Sequence, residues 1–212
     1  MRVRDIMTKD VITIPSSTTI AEADDILSAK KINRLPVVDD GKLVGIVSRS
    51  AILKATAPKN TPIAVWKLPH FFFRMKVKEV MIKDVVTVTP DMTVEGAAFI
   101  AQENKVGGTP VLEGDRLVGM VTSNDYYYNI LNPLLGVKSK GQRVIIKEPN
   151  GAVALQEIFG CIAKYDIRVK AVSYLNLKRK GIESHITVSL DTEDSTQVAA
   201  ELRDLGYDLE IR

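Results

Sequence analysis

Cysteine is almost missing from this sequence. Cys161 is the single one among 212 residues. One thiol cannot close an internal disulfide, so packing must hold the fold, as suits a reducing cytoplasm. Histidine is nearly as scarce. His70 and His185 stand far apart with no cysteine pair near either, which leaves no ligand set for a metal. Charge of one sign is lacking too: the net charge is +3 with no dense Lys/Arg stripe, which argues against nucleic acid as partner. No helix-turn-helix pattern is visible to revive a DNA-binding reading. The most apolar stretch near the middle, PIAVWKLPHFFF (62–73), is short and broken by Lys67, Pro69 and His70, so it cannot span a bilayer. A Walker loop, a GxGxxG segment and a Cys/His/Asp constellation are all absent, which counts against a catalytic chain. Met1 leads straight into a charged segment, so no signal peptide is expected. A cytoplasmic, soluble protein is the expectation.

What the chain does have is a repeat. VRDIMTKDVITI, from Val3, lies over VKEVMIKDVVTV, from Val77, at an offset of 74 residues without a gap. The same offset carries Leu35-Pro36-Val37 onto Thr109-Pro110-Val111, and Leu43-Val44-Gly45 onto Leu117-Val118-Gly119. An ungapped match over roughly 50 residues is the mark of a duplication.

Each copy reads as one small mixed unit. Val11 to Ile14 suggests a strand. Thr19 and Glu22 form a capping box ahead of Ile20, Ala23 and Leu27 at helical spacing. LPVVDDGKLVGIVS then gives two β-rich runs about Asp40-Gly41, a hairpin signature; the second copy turns at Gly114-Asp115. A helix closes each copy. One such βαββα unit has too little core to stand alone, so the copies should pack together.

These stretches, IMTKDVITI and VMIKDVVTV with NRLPVVDDGKLVGIVS and GTPVLEGDRLVGMVTSND, resemble a tandem pair of CBS domains, the Bateman module. The resemblance implies a flattened disc with two clefts, an adenosine-containing ligand and a sensing role. In that family a Gly-x-x-Ser/Thr-x-x-Asp stretch ends the hairpin, and its carboxylate grips both ribose hydroxyls. A cis-diol offers two donors and an ionised carboxylate two acceptor oxygens. Gly119, Thr122 and Asp125 match every position; Gly45 and Ser48 match, but Ala51 stands where the acid should be. One competent site at Asp125 and one degenerate cleft are therefore expected. The other reading of Asp125 is a helix cap. The resemblance further implies that Val86 and Thr87, with Thr13 as first-copy counterpart, border the base. It adds Gly108, Thr109 and Pro110 to the site and brings Arg34 to a phosphate. Ordinary β-propensity remains the alternative for the threonines, and a solvated surface residue the alternative for Arg34.

Between the copies Trp66, Phe71, Phe72 and Phe73 are too many large apolar groups for a solvated linker. After LNPLLGVKSKGQ a new composition begins. RVIIKEP reads as a strand, and Gly151 to Lys164 as a helix with Leu155, Ile158, Phe159 and Ile162 on one face. Strands around IRVKAVSYLNL and ESHITVSL follow, then a helix capped by Ser195 and the strand DLEIR. The order βαββαβ is the ferredoxin-like plan. With EPNGAV at its first turn it resembles an ACT domain, whose small-ligand turn would be Asn150 and Gly151.

The expected fold is α+β: a tandem CBS pair plus a C-terminal ferredoxin-like, ACT-like domain. The boundaries are a first repeat at 1–57, an aromatic linker at 58–75, a second repeat at 76–131 and the last domain at 142–212. The whole arrangement resembles the acetoin-utilization protein family. That resemblance implies a non-catalytic regulator binding AMP, ADP, ATP or S-adenosylmethionine, with no further cofactor and no membrane partner. Apolar linker and open sheet edge predict a homodimer. A nucleotide-processing enzyme and a DNA-binding regulator are the alternatives.

Overall fold

The computed structural model describes residues 1–56, 74–137, 140–149, 151–175 and 184–212. Two compact units divide the chain, Met1–Asp125 and Tyr126–Arg212. Most of the expected aromatic linker, including Trp66 and the three phenylalanines, lies outside the described residues.

The first unit runs α1 (Val3–Ile6), α2 (Ile20–Ala29), β1 (Arg34–Asp39), β2 (Lys42–Ser48) and α3 (Arg49–Thr56). After a 3-10 turn at Val77–Glu79 come α4 (Val94–Glu103), β3 (Gly108–Glu113), β4 (Arg116–Thr122) and the start of α5 (Ser123–Tyr126). Helix α2 begins where its capping box places it. Thr19 Oγ1 accepts the Glu22 N–H at 3.2 Å, and the Glu22 carboxylate accepts the Thr19 N–H at 2.8 Å. That backbone bond, more than any other contact, holds the Glu22 carboxyl below its ordinary pKa. Ile20, Ala23 and Leu27 then point inward, fully buried, each large aliphatic group contributing about 1.5–3 kcal/mol of transfer free energy. In α4 the box is halved: Thr93 caps the Gly96 N–H at 3.1 Å, but glycine has no carboxylate to return.

Both hairpins close on two-residue loops. Asp40 and Gly41 both take positive φ, 49° and 78°, as a type I′ turn needs. Gly114 supplies φ 60° at the first position of the other loop. The sheet order is β1-β2-β4-β3, with the two hairpins meeting at the Lys42–Arg116 pair.

The strands expected at 11–14 and 85–88 are corrected to single parallel bridges, Ile14 to Val37 and Val88 to Val111. Each segment leans on its own hairpin at one residue, Ile14 N–H donating to Pro36 at 3.2 Å and Val88 N–H to Pro110 at 3.1 Å. The stretches on either side of these segments cross between the repeats. Val3 N–H donates to the Met92 carbonyl at 2.9 Å and Arg4 N–H to that of Pro90 at 3.0 Å. Reciprocally, Val77 N–H donates to Thr18 at 2.8 Å and Ile20 N–H to Met75 at 3.0 Å. Val77, from the second repeat, is fully buried in one cluster with Ile14, Ile20, Leu27, Leu35 and Val47 of the first. Each repeat thus completes the other.

The second unit continues with a π-helical turn, Tyr127–Leu131, and α6 (Asn132–Leu135), ended by Gly136 at φ 64°. Then follow β5 (Gln142–Lys147), α7 (Gly151–Ala163), β6 (Val169–Leu175), β7 (His185–Leu190), α8 (Thr196–Asp204) and β8 (Leu209–Ile211). The sheet order is β6-β7-β5-β8, antiparallel throughout. Counted within the unit that is second, third, first, fourth, with βαββαβ connectivity: the ferredoxin-like plan. Ala154, Ile158, Cys161 and Ile162 of α7 and Val198, Ala199 and Leu202 of α8 bury one face of this sheet. Arg143 Nη1 donates to the Leu135 carbonyl at 2.7 Å, tying α6 to β5.

Two local expectations change. Phe159 is 38% exposed, because Ile158 and Ile162 centre the buried face and Cys161, not Phe159, fills its side. Ser195 stands at the N-cap of α8, but its hydroxyl donates to Gln142 Oε1 at 2.6 Å instead of capping. The Thr196 N–H finds Asp194 Oδ1 at 2.8 Å.

Candidate functional site

The repeats do not merely abut. Thr8 of the first forms a bridge with Met120 of β4, and Ile82 of the second with Ile46 of β2. The lead-in segment of each repeat therefore lies on the hairpin of the other. Met7 and Met81 stand at the same place in the two copies, and each thioether covers a hairpin glycine. A Cβ on Gly119 would stand 2.5 Å from Met7 Sδ, and one on Gly45 2.5 Å from Met81 Sδ.

This exchange opens a cavity of about 380 Å³ in the first unit, within the range typical of small-molecule sites. The first repeat lines it with Thr8, Asp10, Val11, Ile12, Lys31, Ile32, Asn33, Arg34 and Pro36; the second lines it with Gly107, Met120, Thr122, Ser123 and Asn124. Val11, Ile12, Ile32, Pro36 and Met120 suit the flat face of a base. Lys31 and Arg34 set two cations against the single acid Asp10.

Asp125 is half-buried one turn into α5. Its Oδ2 accepts both the Thr122 N–H at 2.6 Å and the Thr122 hydroxyl at 2.7 Å. The carboxylate is thus bound to a residue of the cavity wall. A ribose diol would join or displace these bonds, since a hydroxyl rotates and a carboxylate offers about four lone-pair sites. In the first repeat the same turn is wired differently. Ser48 Oγ accepts the Ala51 N–H at 3.2 Å and shares a 3.0 Å hydrogen bond with Ser50 Oγ. Ser48 is a plain helix cap.

Of the residues singled out in the sequence, the structure brings Arg34 and Thr122 to the lining of one cavity, with Asp125 bonded to Thr122. Gly119 lies under Met7. Gly108 is buried beside Thr122 Cγ2, where a Cβ would come within 3.3 Å. Thr109 is 1% exposed with its Oγ1 unpartnered, and Pro110 is buried beside it in β3. Neither lines this cavity. Val86 and Thr87 do not line this cavity either; they follow Ile82, which bridges to Ile46 of β2. The residues missed include Asp10, Val11, Ile12, Lys31, Ile32, Pro36 and Met120. For Asp10, Val11 and Ile12 the signal was the offset itself, had the two repeats been read as exchanging lead-ins. In the second unit Gly151 takes φ 59° with open space at its Cβ position, and Asn150 lies outside the described residues. Among the described residues no group of three potential metal ligands gathers, and no helix is long and apolar enough to cross a membrane.

The duplicated hairpins and their exchanged lead-ins define a paired α+β module with a cavity shared by its two repeats. The CBS domain family model matches residues 3–58 and 77–131, more than half of the chain, and the chain belongs to that family. It is 37% identical over 125 residues to a homoserine O-acetyltransferase of Methanohalobium evestigatum, covering 58% of this chain and 23% of that one. An L-aspartate semialdehyde sulfurtransferase of Methanocaldococcus jannaschii is likewise 37% identical, over 58% of this chain and 22% of that one. The chain thus spans less than a quarter of these two curated relatives. Among solved structures, a CBS domain pair in complex with 5′-methylthioadenosine and S-adenosyl-L-methionine is 34% identical with a TM-score of 0.52. That match covers 65% of this chain and 98% of that one. A Vibrio cholerae protein assigned to acetoin utilization is 31% identical with a TM-score of 0.54, covering 65% and 95%. Another, CBSX2 in complex with AMP, is 28% identical with a TM-score of 0.51 over 62% of this chain and 96% of that one.

Proposed function

We propose that the chain is a non-catalytic sensor whose CBS pair binds an adenosine-containing ligand in the cavity between Arg34 and Thr122. The observation that carries this reading is the meeting, on one cavity, of a first-repeat cation and the second-repeat hydroxyl–carboxylate pair Thr122–Asp125. The adenosine compounds bound by two of the similar structures support it. The base lies against Val11, Ile12 and Pro36, the diol reaches Asp125, and an anionic tail meets Lys31 or Arg34. AMP is the reference ligand; ADP, ATP and S-adenosylmethionine share its adenosine. The ferredoxin-like second unit acts as an ACT-like regulatory part, supported by its strand order and by Gly151 at the first turn. Likeness to the Vibrio protein supports a part in acetoin utilization.

Asp125→Ala tests the site. It removes charge-assisted bonds worth about 1.5–3 kcal/mol each, less whatever water restores. AMP affinity should fall roughly tenfold to a few hundredfold by calorimetry, while the fold loses only the about 0.5–2 kcal/mol of a cap. Normal binding by the mutant would leave Asp125 a cap and nothing more. AMP recovered unchanged after incubation separates sensor from enzyme.

A second copy is the proposed partner. Phe99 and Ile82 are 63% and 54% exposed on the first unit, and β6 is an open sheet edge carrying Tyr174 at 45% exposed. Such surfaces favour self-association. Light scattering should read about twice 23.4 kDa; a monomer at micromolar concentration refutes the dimer.

A further inference from the structure

Arg34 and its counterpart show where the two repeats diverged in complementary fashion. At the matching positions of the second repeat stand Gly107, opposite Asn33, and Gly108, opposite Arg34. The Arg34 side chain lies across both glycines. Its Nη1 donates to the Gly107 carbonyl at 3.3 Å. A Cβ on Gly107 would stand 2.8 Å from Arg34 Nη2, and one on Gly108 3.6 Å from Arg34 Cδ. Where the first repeat carries two side chains, the second carries none, and the first repeat's guanidinium lies in that space.

The seat is not a strong one. The bond is long, it ends on a neutral carbonyl, and it sits on the wall of the cavity. The same carbonyl also receives the Ser123 N–H at 3.3 Å and the Ser123 hydroxyl at 3.5 Å, so it keeps partners if Arg34 leaves. A guanidinium gains far more from a phosphate or carboxylate, which it can grip with two parallel bonds.

We propose that Arg34 is a displaceable latch between the two repeats, seated on Gly107 and taken over by an anionic group of a ligand in the cavity. The latch makes the cavity discriminate between ligands by charge, and it couples the anion to a bond that ties the repeats together. This rests on the adenosine reading of the same cavity.

The test titrates the full chain with AMP and with adenosine, which differ only in the phosphate, and follows the ratio of their affinities. Gly107→Ala places a methyl against the guanidinium. Gly107 is absent from the positive-φ glycines and the obstructing atom is the end of a flexible side chain, so the fold should accept it. Any narrowing of the cavity by the methyl acts on both ligands and cancels in the ratio. Loosening the Gly107 bond should raise the AMP:adenosine ratio about threefold to tenfold, since one charge-assisted hydrogen bond no longer has to be broken first. Arg34→Met keeps the apolar stem and removes the donors; the ratio should fall toward one, with or without Gly107→Ala. An unchanged or lowered ratio in Gly107→Ala overturns the latch, as does a surviving preference for AMP in Arg34→Met, which would pass the role to Lys31. Adenosine binding with a flat ratio sinks the latch alone. If neither compound binds the parent protein, the adenosine reading falls and the latch with it.

Discussion

Gly119 shows how a residue can be in the right motif for a different reason. The hairpin motif places it in line with Thr122 and Asp125, and the resemblance gives it to the nucleotide. In the structure its job is contact between repeats: besides Met7 Sδ, the Thr8 carbonyl would lie 3.0 Å from a Cβ there. Gly45 faces the Ile82 carbonyl at the same 3.0 Å. The two glycines recur because the two crossings recur. Gly119→Ala should therefore destabilise the protein by about 1–3 kcal/mol through overpacking, read from the midpoint of denaturant unfolding. Met7→Ala on top of it should cost less than the two single changes summed, since the pair shares one contact. Strict additivity would show that Met7 is not what the glycine accommodates. The repeat alignment displays Gly45 and Gly119, and even Met7 and Met81, but it cannot display that each methionine covers the other copy's glycine. The Arg34/Gly108 difference was likewise visible as a mismatch, while its meaning, a side chain seated on two glycines, needed the fold.

Among the elements, those whose cause is local were legible. The Asp40-Gly41 hairpin follows from φ preferences within two residues, and α2 from a capping box four residues long. Both stand where the sequence puts them. The ferredoxin-like order of the second unit was legible for the same reason, because its alternating strands and periodic helices carry their own signals. The lead-in strands were not. Ile14 and Val88 have the β-propensity of strand residues, yet each makes one bridge only, while six residues earlier Thr8 and Ile82 pair with the other repeat. Ser195 failed in a similar way. Its position at the helix start was right, but Gln142, 53 residues earlier, claims its hydroxyl. Assigning Val86 and Thr87 to the same site as Asp125 has the same root. Closeness in sequence groups residues by repeat, while this cavity is lined by both repeats.

At the scale of the whole molecule, the first unit unfolds as one body if the repeats truly complete each other. Val77 sits in the first repeat's core, and Val3, fully buried, bonds to Met92 of the second. Neither repeat keeps its core alone. The second unit has a separate cluster built from its own thirteen buried residues, Val144 to Leu209. Scanning calorimetry should then resolve two transitions, one for each unit. A ligand confined to the first unit stabilises that unit by mass action, about 2.7 kcal/mol at a hundred times Kd. For a domain of this size that corresponds to a rise of roughly ten degrees in its Tm. AMP should move one transition by about that amount and leave the other in place. Asp125→Ala should cut the shift to about half or less at the same AMP concentration while both transitions persist. Equal movement of the two transitions would mean that the units melt together, and movement of neither would remove AMP as the ligand.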